Sequence, residues 1–294
     1  MNPTVAGPVP HRAGPRADDS RRRLLAGLVS LPLLPASARA QSVPLDVPFV
    51  PSGDETVERM LRMAAVGPED RLIDLGSGDG RIVIAAARQF GTRGLGVELD
   101  PGRWAAAQRN AERSGVADRV RFERADLFET DLSAATVITM YLLPAVNLRL
   151  RPRLLALRPG TRVVSHDFDM GEWLPDQRAD RDGSTVYLWI VPARVEGTWR
   201  WRMPDEAGFS VRLRQQFQLV HGQAERDEAP VWLQDARLRG AEITFTLLGQ
   251  TSRGPFRHDC SGRVEGDQIV GSIRTRAGEG ASARPQPWRA TRGV

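Results

Sequence analysis

The segment Leu72-Ile-Asp-Leu-Gly-Ser-Gly-Asp-Gly80 restricts this chain to few folds. Residues 71–75 read as a short buried strand, 76–80 as a glycine turn, and 81–90 as a helix with Ile82, Ile84, Ala85 and Ala86 near its start. A strand that passes through such a turn into a helix N-terminus lets a ligand approach the main chain closely. The dinucleotide fingerprint spaces its last glycine one residue further on, and this loop also carries Asp74 and Asp79. Carboxylates repel a pyrophosphate and suit a ligand with positive groups.

A second acid extends the pattern. Glu98 follows Gly78 by 20 residues, at the end of a strand expected over 93–99, where a carboxylate can accept both hydroxyls of a ribose. S-Adenosylmethionine offers an ammonium, a sulfonium and a ribose to such a pair of acids. The loop and Glu98 together resemble the class I S-adenosylmethionine-dependent methyltransferases, whose first motif is Asp/Glu-x-Gly-x-Gly-x-Gly and whose second strand ends on an acid. By that resemblance Asp74, Gly76, Ser77, Gly78 and Gly80 hold the methionine part and Glu98 the ribose.

The rest of the first half follows the same alternation. Ser52 with Glu55 reads as a capping box for a helix whose Val57, Met60, Leu61 and Ala64 share one face, ended by Gly67-Pro68. Asp100-Pro101 caps the next helix, and residues 120–123, 136–140 and 161–168 read as further strands, with a helix over 145–157. The expected fold is α/β, a doubly wound, mostly parallel Rossmann-like sheet. Ligands in such sheets sit outside the carboxyl ends of the strands, which puts Asp126 near an adenine amino group and Leu127 against its ring. Tyr141, at the end of the fourth strand, would stand beside the methyl group, its face able to stabilise an ammonium and its hydroxyl able to orient a nucleophile. Proton acceptors near the cleft are His166, Asp167, Asp169 and Glu55, and no spacing singles one out. No metal site is assigned.

A closer resemblance covers residues 48–176. Pro48-Phe-Val-Pro51, the loop from Asp74 to Val83, the pair Asp126-Leu127 and the segment 168–175 are similar to the small lysine methyltransferases related to the mitochondrial enzymes that modify the c-ring of ATP synthase and the adenine nucleotide translocase. The resemblance implies methyl transfer to a lysine side-chain amine of a protein substrate. The Asn/Asp-Pro-Pro-Tyr/Phe tetrapeptide of many base and amide methyltransferases is absent after the fourth strand, where the chain reads Met140-Tyr-Leu-Leu-Pro144.

Beyond a last sheet strand at 184–191, the pattern changes to short alternating strands, as in Phe209, Val211 and Leu213, or Ile243, Phe245 and Leu247. About eight of them, separated by turns containing glycine, suggest an antiparallel all-β barrel-like domain. Gly197-Thr-Trp199 and Trp288-Arg-Ala-Thr-Arg292 faintly resemble the closing features of lipocalin-like barrels, with Trp199 plugging the floor and Arg292 stacked on it.

The division expected is therefore 1–40 as a leader, 41–192 as the methyltransferase domain and 193–294 as the barrel. The leader carries Ser20-Arg-Arg-Arg-Leu-Leu25, close to a twin-arginine export pattern, then an apolar run and Ala38-Arg-Ala40 as a cleavage site. It also holds most of the basic surplus: the formal net charge is +5, and Arg12, Arg16, Arg21, Arg22, Arg23 and Arg39 face only Asp18 and Asp19. No nucleic-acid footprint is therefore expected. The chain has no lysine and one cysteine, so neither self-methylation at lysine nor an internal disulfide can occur. Export conflicts with a cytoplasmic cofactor supply. Either the leader is retained as an inner-membrane tether, or the enzyme acts before reaching the periplasm, or the fold persists as an exported binding module with envelope or membrane association. A small-molecule or lipid acceptor is the remaining alternative, and oligomeric state is not fixed by the sequence.

Overall fold

The computed structural model describes residues 51–252, 254–277 and 284–293, all within one contact unit, Val43–Val294. The export leader and the approach before Pro51 lie outside the described residues.

Helix α1 (Asp54–Met63) buries Val57, Met60 and Leu61 on one face, as the spacing predicts. Its start differs from expectation: Gly53 is the N-cap and no side chain caps it. Ser52 instead shares a hydrogen bond with His166 Nδ1, 2.8 Å from its hydroxyl, so a tertiary partner displaces the local capping box.

Strand β1 (Arg71–Leu75) is buried from Leu72 to Leu75, because helices cover both faces of the sheet. It leads into α2 (Arg81–Phe90), β2 (Arg93–Val97) and α3 (Pro101–Arg113), which Asp100 caps by accepting the Arg103 N–H at 2.8 Å. Then come β3 (Val120–Glu123), β4 (Val137–Met140), α4 (Pro144–Leu155) and β5 (Arg162–His166). An antiparallel hairpin, β6 (Gln177–Arg181) and β7 (Ser184–Ile190), completes the sheet in the order β3-β2-β1-β4-β5-β7-β6. Strands β1 to β5 run parallel, and β7 returns antiparallel to β5. The strand order reverses between β1 and β4, which opens a crevice at their carboxyl ends.

The remaining strands are β8 (Gly197–Arg202), β9 (Gly208–Gln216), β10 (Leu219–Arg226), β11 (Ala229–Arg239), β12 (Glu242–Thr251), β13 (Gly254–Glu265), β14 (Gln268–Ala277) and β15 (Gln286–Arg292). They close into an antiparallel barrel of eight strands among the described residues. Alternate residues point inward and fill it: Trp201 stacks on Phe209 at 5.3 Å and meets Trp288 edge-on at 5.4 Å. Trp199 is buried with its indole N–H on the Val195 carbonyl, and Arg292 lies 4.6 Å over its ring, as expected from the sequence.

Sheet and barrel are in contact. The Ala193 N–H donates to the Gly240 carbonyl at 2.8 Å. The turn between β9 and β10 reaches the loop after β5: Phe217 stacks on Trp173 at 6.2 Å, and Gln218 Nε2 donates to the Leu174 carbonyl at 2.6 Å. Among the described residues, no helix is long and apolar enough to cross a membrane.

Candidate active site

The glycine turn is shaped by backbone sterics. Gly76 (φ 74°), Gly78 (φ 55°) and Gly80 (φ 82°) all take the left-handed conformation. A Cβ on Gly80 would stand 2.6 Å from the Phe122 ring, so that glycine lets α2 dock on the sheet. The loop amides are not free to cradle an anion. Gly76 and Ser77 N–H both donate to the Val97 carbonyl, at 3.0 and 2.9 Å, and Gly80 N–H donates to the Ser77 carbonyl. Gly78 N–H donates to Glu98 Oε2 at 2.9 Å. With these donors spent inside the chain, the turn differs from a phosphate-binding loop, whose amides point at the ligand.

What the loop presents to the crevice is acid. A pocket at the carboxyl ends of β1, β2 and β4 is lined by Asp74, Gly76, Ser77, Glu98, Asp126, Leu127 and Tyr141, all expected from the sequence. Gly78 and Gly80 do not line it. Their parts are indirect: one fixes Glu98, the other seats the helix.

Asp74 is buried at the base of this pocket. Its Oδ1 accepts the Thr139 hydroxyl at 2.7 Å, while Oδ2 has no protein partner, and neither has the buried Ser77 hydroxyl. Burial pushes the Asp74 carboxyl up to about 7; the Thr139 bond opposes this, and the charges of Glu98 and Asp79 add to it. Two orphaned buried polar atoms beside a proton-hungry carboxylate fit an ammonium, which supplies both the donors and the charge.

Glu98 is 5% exposed and held by backbone on both oxygens, from Gly78 N–H to Oε2 and from Asp100 N–H to Oε1 at 2.8 Å. Each oxygen keeps a lone pair, which is what two adjacent ribose hydroxyls require. Asp79 also lines the pocket and pairs with Arg81, 2.7 Å off. Against the cost of partial burial, that guanidinium holds Asp79 below the usual carboxylate range. Arg81 also donates to the Ser52 carbonyl at 2.9 Å, tying the approach segment to the loop.

On the opposite wall Asp126 is exposed, with Oδ1 accepting the Phe128 N–H at 2.8 Å, and Leu127 is half-buried. Phe128, Arg103 and Leu99 line the pocket too, and sequence reasoning missed them. Only their nearness to the ends of β2 and β3 could have pointed to them.

Tyr141 lines the pocket. Its hydroxyl donates to Asp167 Oδ2 at 3.3 Å, and its ring lies 3.9 Å from that of His166 and 5.9 Å from that of Phe168. Of the four acceptors left open by the sequence, the structure brings His166 and Asp167 to Tyr141 and places Glu55 in the first turn of α1. Asp169 is exposed and accepts the Gly171 N–H at 3.0 Å. Burial, with Arg59 nearby, holds the His166 imidazole below its ordinary value despite the neighbouring Asp167.

The chain is similar in sequence to known proteins. Residues 74–177 match the family model described as the ANTKMT methyltransferase domain. A protein-lysine N-methyltransferase of Saccharolobus islandicus is 44% identical in an alignment of 151 residues that covers 49% of this chain and 94% of that protein. The adenine nucleotide translocase lysine N-methyltransferase of Mus musculus is 37% identical over 145 residues, which are 49% of this chain and 62% of that protein. A solved RNA methyltransferase from Salinibacter ruber, in complex with S-adenosyl-L-homocysteine, is 56% identical over 50% of this chain and 96% of its own, with a TM-score of 0.49. The chain belongs to the S-adenosylmethionine-dependent methyltransferases, in the family that shares the ANTKMT methyltransferase domain with protein-lysine N-methyltransferases.

Proposed function

We propose that this enzyme methylates lysine side chains of a protein substrate. The observation that carries the reading is that one pocket holds the acids Asp74 and Glu98 together with Tyr141, which hydrogen-bonds Asp167 and stacks on Phe168 just outside the lining. The names of the relatives, protein-lysine N-methyltransferase among them, support the choice of acceptor. The catalytic domain is assigned to 41–192, with a leader over 1–40 and the barrel over 193–294.

In this reading Asp74 and Ser77 receive the methionine ammonium, Glu98 takes the ribose hydroxyls, and Asp126 with Leu127 borders the adenine. Bound there, S-adenosylmethionine supplies a methyl group on a positive sulfur, which an amine lone pair attacks in line as the C–S bond breaks with its electrons left on sulfur. The chain's contribution is alignment and exclusion of water, the two effects that matter most for such a displacement. Tyr141 faces the incoming amine, and its ring favours the cationic product. Asp74 and Glu98 are fixed before binding by Thr139 and by backbone N–H groups, so little ordering remains to be done.

The test uses methyl-labelled S-adenosylmethionine with soluble and membrane fractions of cell extract, in parallel with total RNA, followed by acid hydrolysis. Methyl-lysine in protein supports the reading. Label confined to RNA or to small molecules refutes it. Protein fractionation that finds the mature chain beginning at Gln41 in the periplasm would likewise refute a retained leader tether.

A further inference from the structure

Beside the donor pocket the end of β5 carries a feature that cofactor binding does not explain. Asp167 holds φ at 59°, a left-handed backbone that residues other than glycine seldom adopt. Its carboxylate is fixed from two sides, Oδ1 by the Thr185 N–H at 2.8 Å and Oδ2 by the Tyr141 hydroxyl at 3.3 Å. The side chain nevertheless remains 30% exposed. Phe168 follows it, half-buried and stacked on Tyr141 with an interplanar angle of 19°. Behind Tyr141, the Ser52 hydroxyl lies against His166 Nδ1, which keeps that ring in place.

We propose that Asp167, with the stacked ring pair of Tyr141 and Phe168, forms the acceptor subsite of this methyltransferase, and that the ligand it selects is a protonated alkylamine. The proposal rests on the lysine reading above and deepens it. An alkylammonium gains from both parts of such a site, charge from the carboxylate and quadrupole attraction from the two rings. A neutral nucleobase amine gains little from either. Asp167 is a recognition residue here: it draws the ammonium to Tyr141 and holds it there, the ammonium gives one proton to bulk water before its nitrogen lone pair attacks, and Tyr141 positions the carboxylate. The charged or titratable groups that face this cluster are Tyr141 just after β4, His166 from β5 and Arg59 from α1.

The experiment saturates the protein with S-adenosylhomocysteine and titrates it, by NMR, with Nα-acetyl-lysine methylamide and with its uncharged norleucine counterpart. Asp167→Asn keeps an acceptor for Thr185 and a partner for Tyr141 while removing the charge, and Asp167→Glu keeps the charge. Wild type is expected to prefer the lysine compound. Asp167→Asn is expected to lose at least tenfold in affinity for it, with S-adenosylhomocysteine affinity and Tm unchanged, and Asp167→Glu to recover part of the loss. Equal binding of both compounds by wild type overturns the proposal. So does an Asp167→Asn loss that falls equally on S-adenosylhomocysteine, which marks a purely structural role. Methyl-lysine formed in extract by Asp167→Asn at the wild-type rate and wild-type acceptor dependence sinks the subsite alone; no methyl-lysine from wild type sinks the lysine reading itself.

Discussion

Binding of S-adenosylhomocysteine at pH 6 is expected to expel a proton from Asp74. In the free protein this carboxyl sits at about 7, raised chiefly by burial, so roughly nine-tenths of the molecules carry it neutral at pH 6 and about one-tenth at pH 8. An ammonium placed against the unpartnered Oδ2 pulls the group back into its ionised form. The linkage follows directly: close to one proton is released per site at pH 6 and almost none at pH 8, and apparent affinity weakens about tenfold at the lower pH. Calorimetry in buffers of different ionisation enthalpy measures this, since the observed heat varies with buffer in proportion to protons released. Asp74→Asn keeps the Thr139 contact but cannot titrate, and is expected to bind weakly with no buffer dependence. A flat buffer dependence for wild type at pH 6 would refute the assignment of Asp74 to the ammonium. The same shift bears on the free protein's stability. Because the folded value lies above the unfolded one of 3.8, this carboxyl's contribution is fully present below pH 3.8 and is lost as pH rises to about 7. The gap of about three pKa units corresponds to a loss on the order of 4 kcal/mol, which bound ligand restores.

Three other outcomes test the remaining geometry. Glu98→Ala removes a charged acceptor and frees the Gly78 and Asp100 amides, so S-adenosylhomocysteine affinity is expected to fall by about ten- to a hundredfold, from hydrogen bonds to a charged group worth roughly 1.5–3 kcal/mol; calorimetry at pH 8 reads it, and an unchanged Kd would contradict the ribose assignment. Gly80→Ala puts a Cβ 2.6 Å from the Phe122 ring at positive φ, and is expected to cost about 2–4 kcal/mol in urea unfolding; a cost under about 0.5 kcal/mol would show that the helix packs with slack. Phe217→Ala uncovers Trp173 from the barrel side and is expected to slow methyl transfer while leaving S-adenosylhomocysteine affinity within about twofold; affinity falling with activity would mean that the barrel supports the donor pocket as well.

The donor half of this site was legible because its chemistry is written locally. Glycines at 76, 78 and 80 require left-handed backbone, and an acid at the end of β2 falls at a fixed distance along the chain. The barrel was legible for a similar reason, since inward and outward residues alternate along each strand. What escaped was long-range or polar. Strand β6 is exposed nearly throughout and carries no apolar alternation to announce it. Ser52 followed by Glu55 satisfies the capping rule, yet its partner is His166, 114 residues away. No local spacing announces that the Val97 carbonyl takes the Gly76 and Ser77 amides of the loop. The acceptor side depends on Tyr141 meeting Asp167 across two strands, a contact set by sheet order and not by any local spacing.

The turn at Phe217 and Gln218 makes the barrel an outer wall of the catalytic half and not cargo on a tether. Trp173 is completely enclosed, and one of its covers comes from beyond residue 192. Cutting the chain there would leave the Trp173 indole facing water beside the already exposed Leu174, a sticky flank that favours aggregation. The Saccharolobus islandicus relative is matched over 94% of its length by 49% of this chain. Grafting this catalytic half elsewhere would mean carrying the hairpin along.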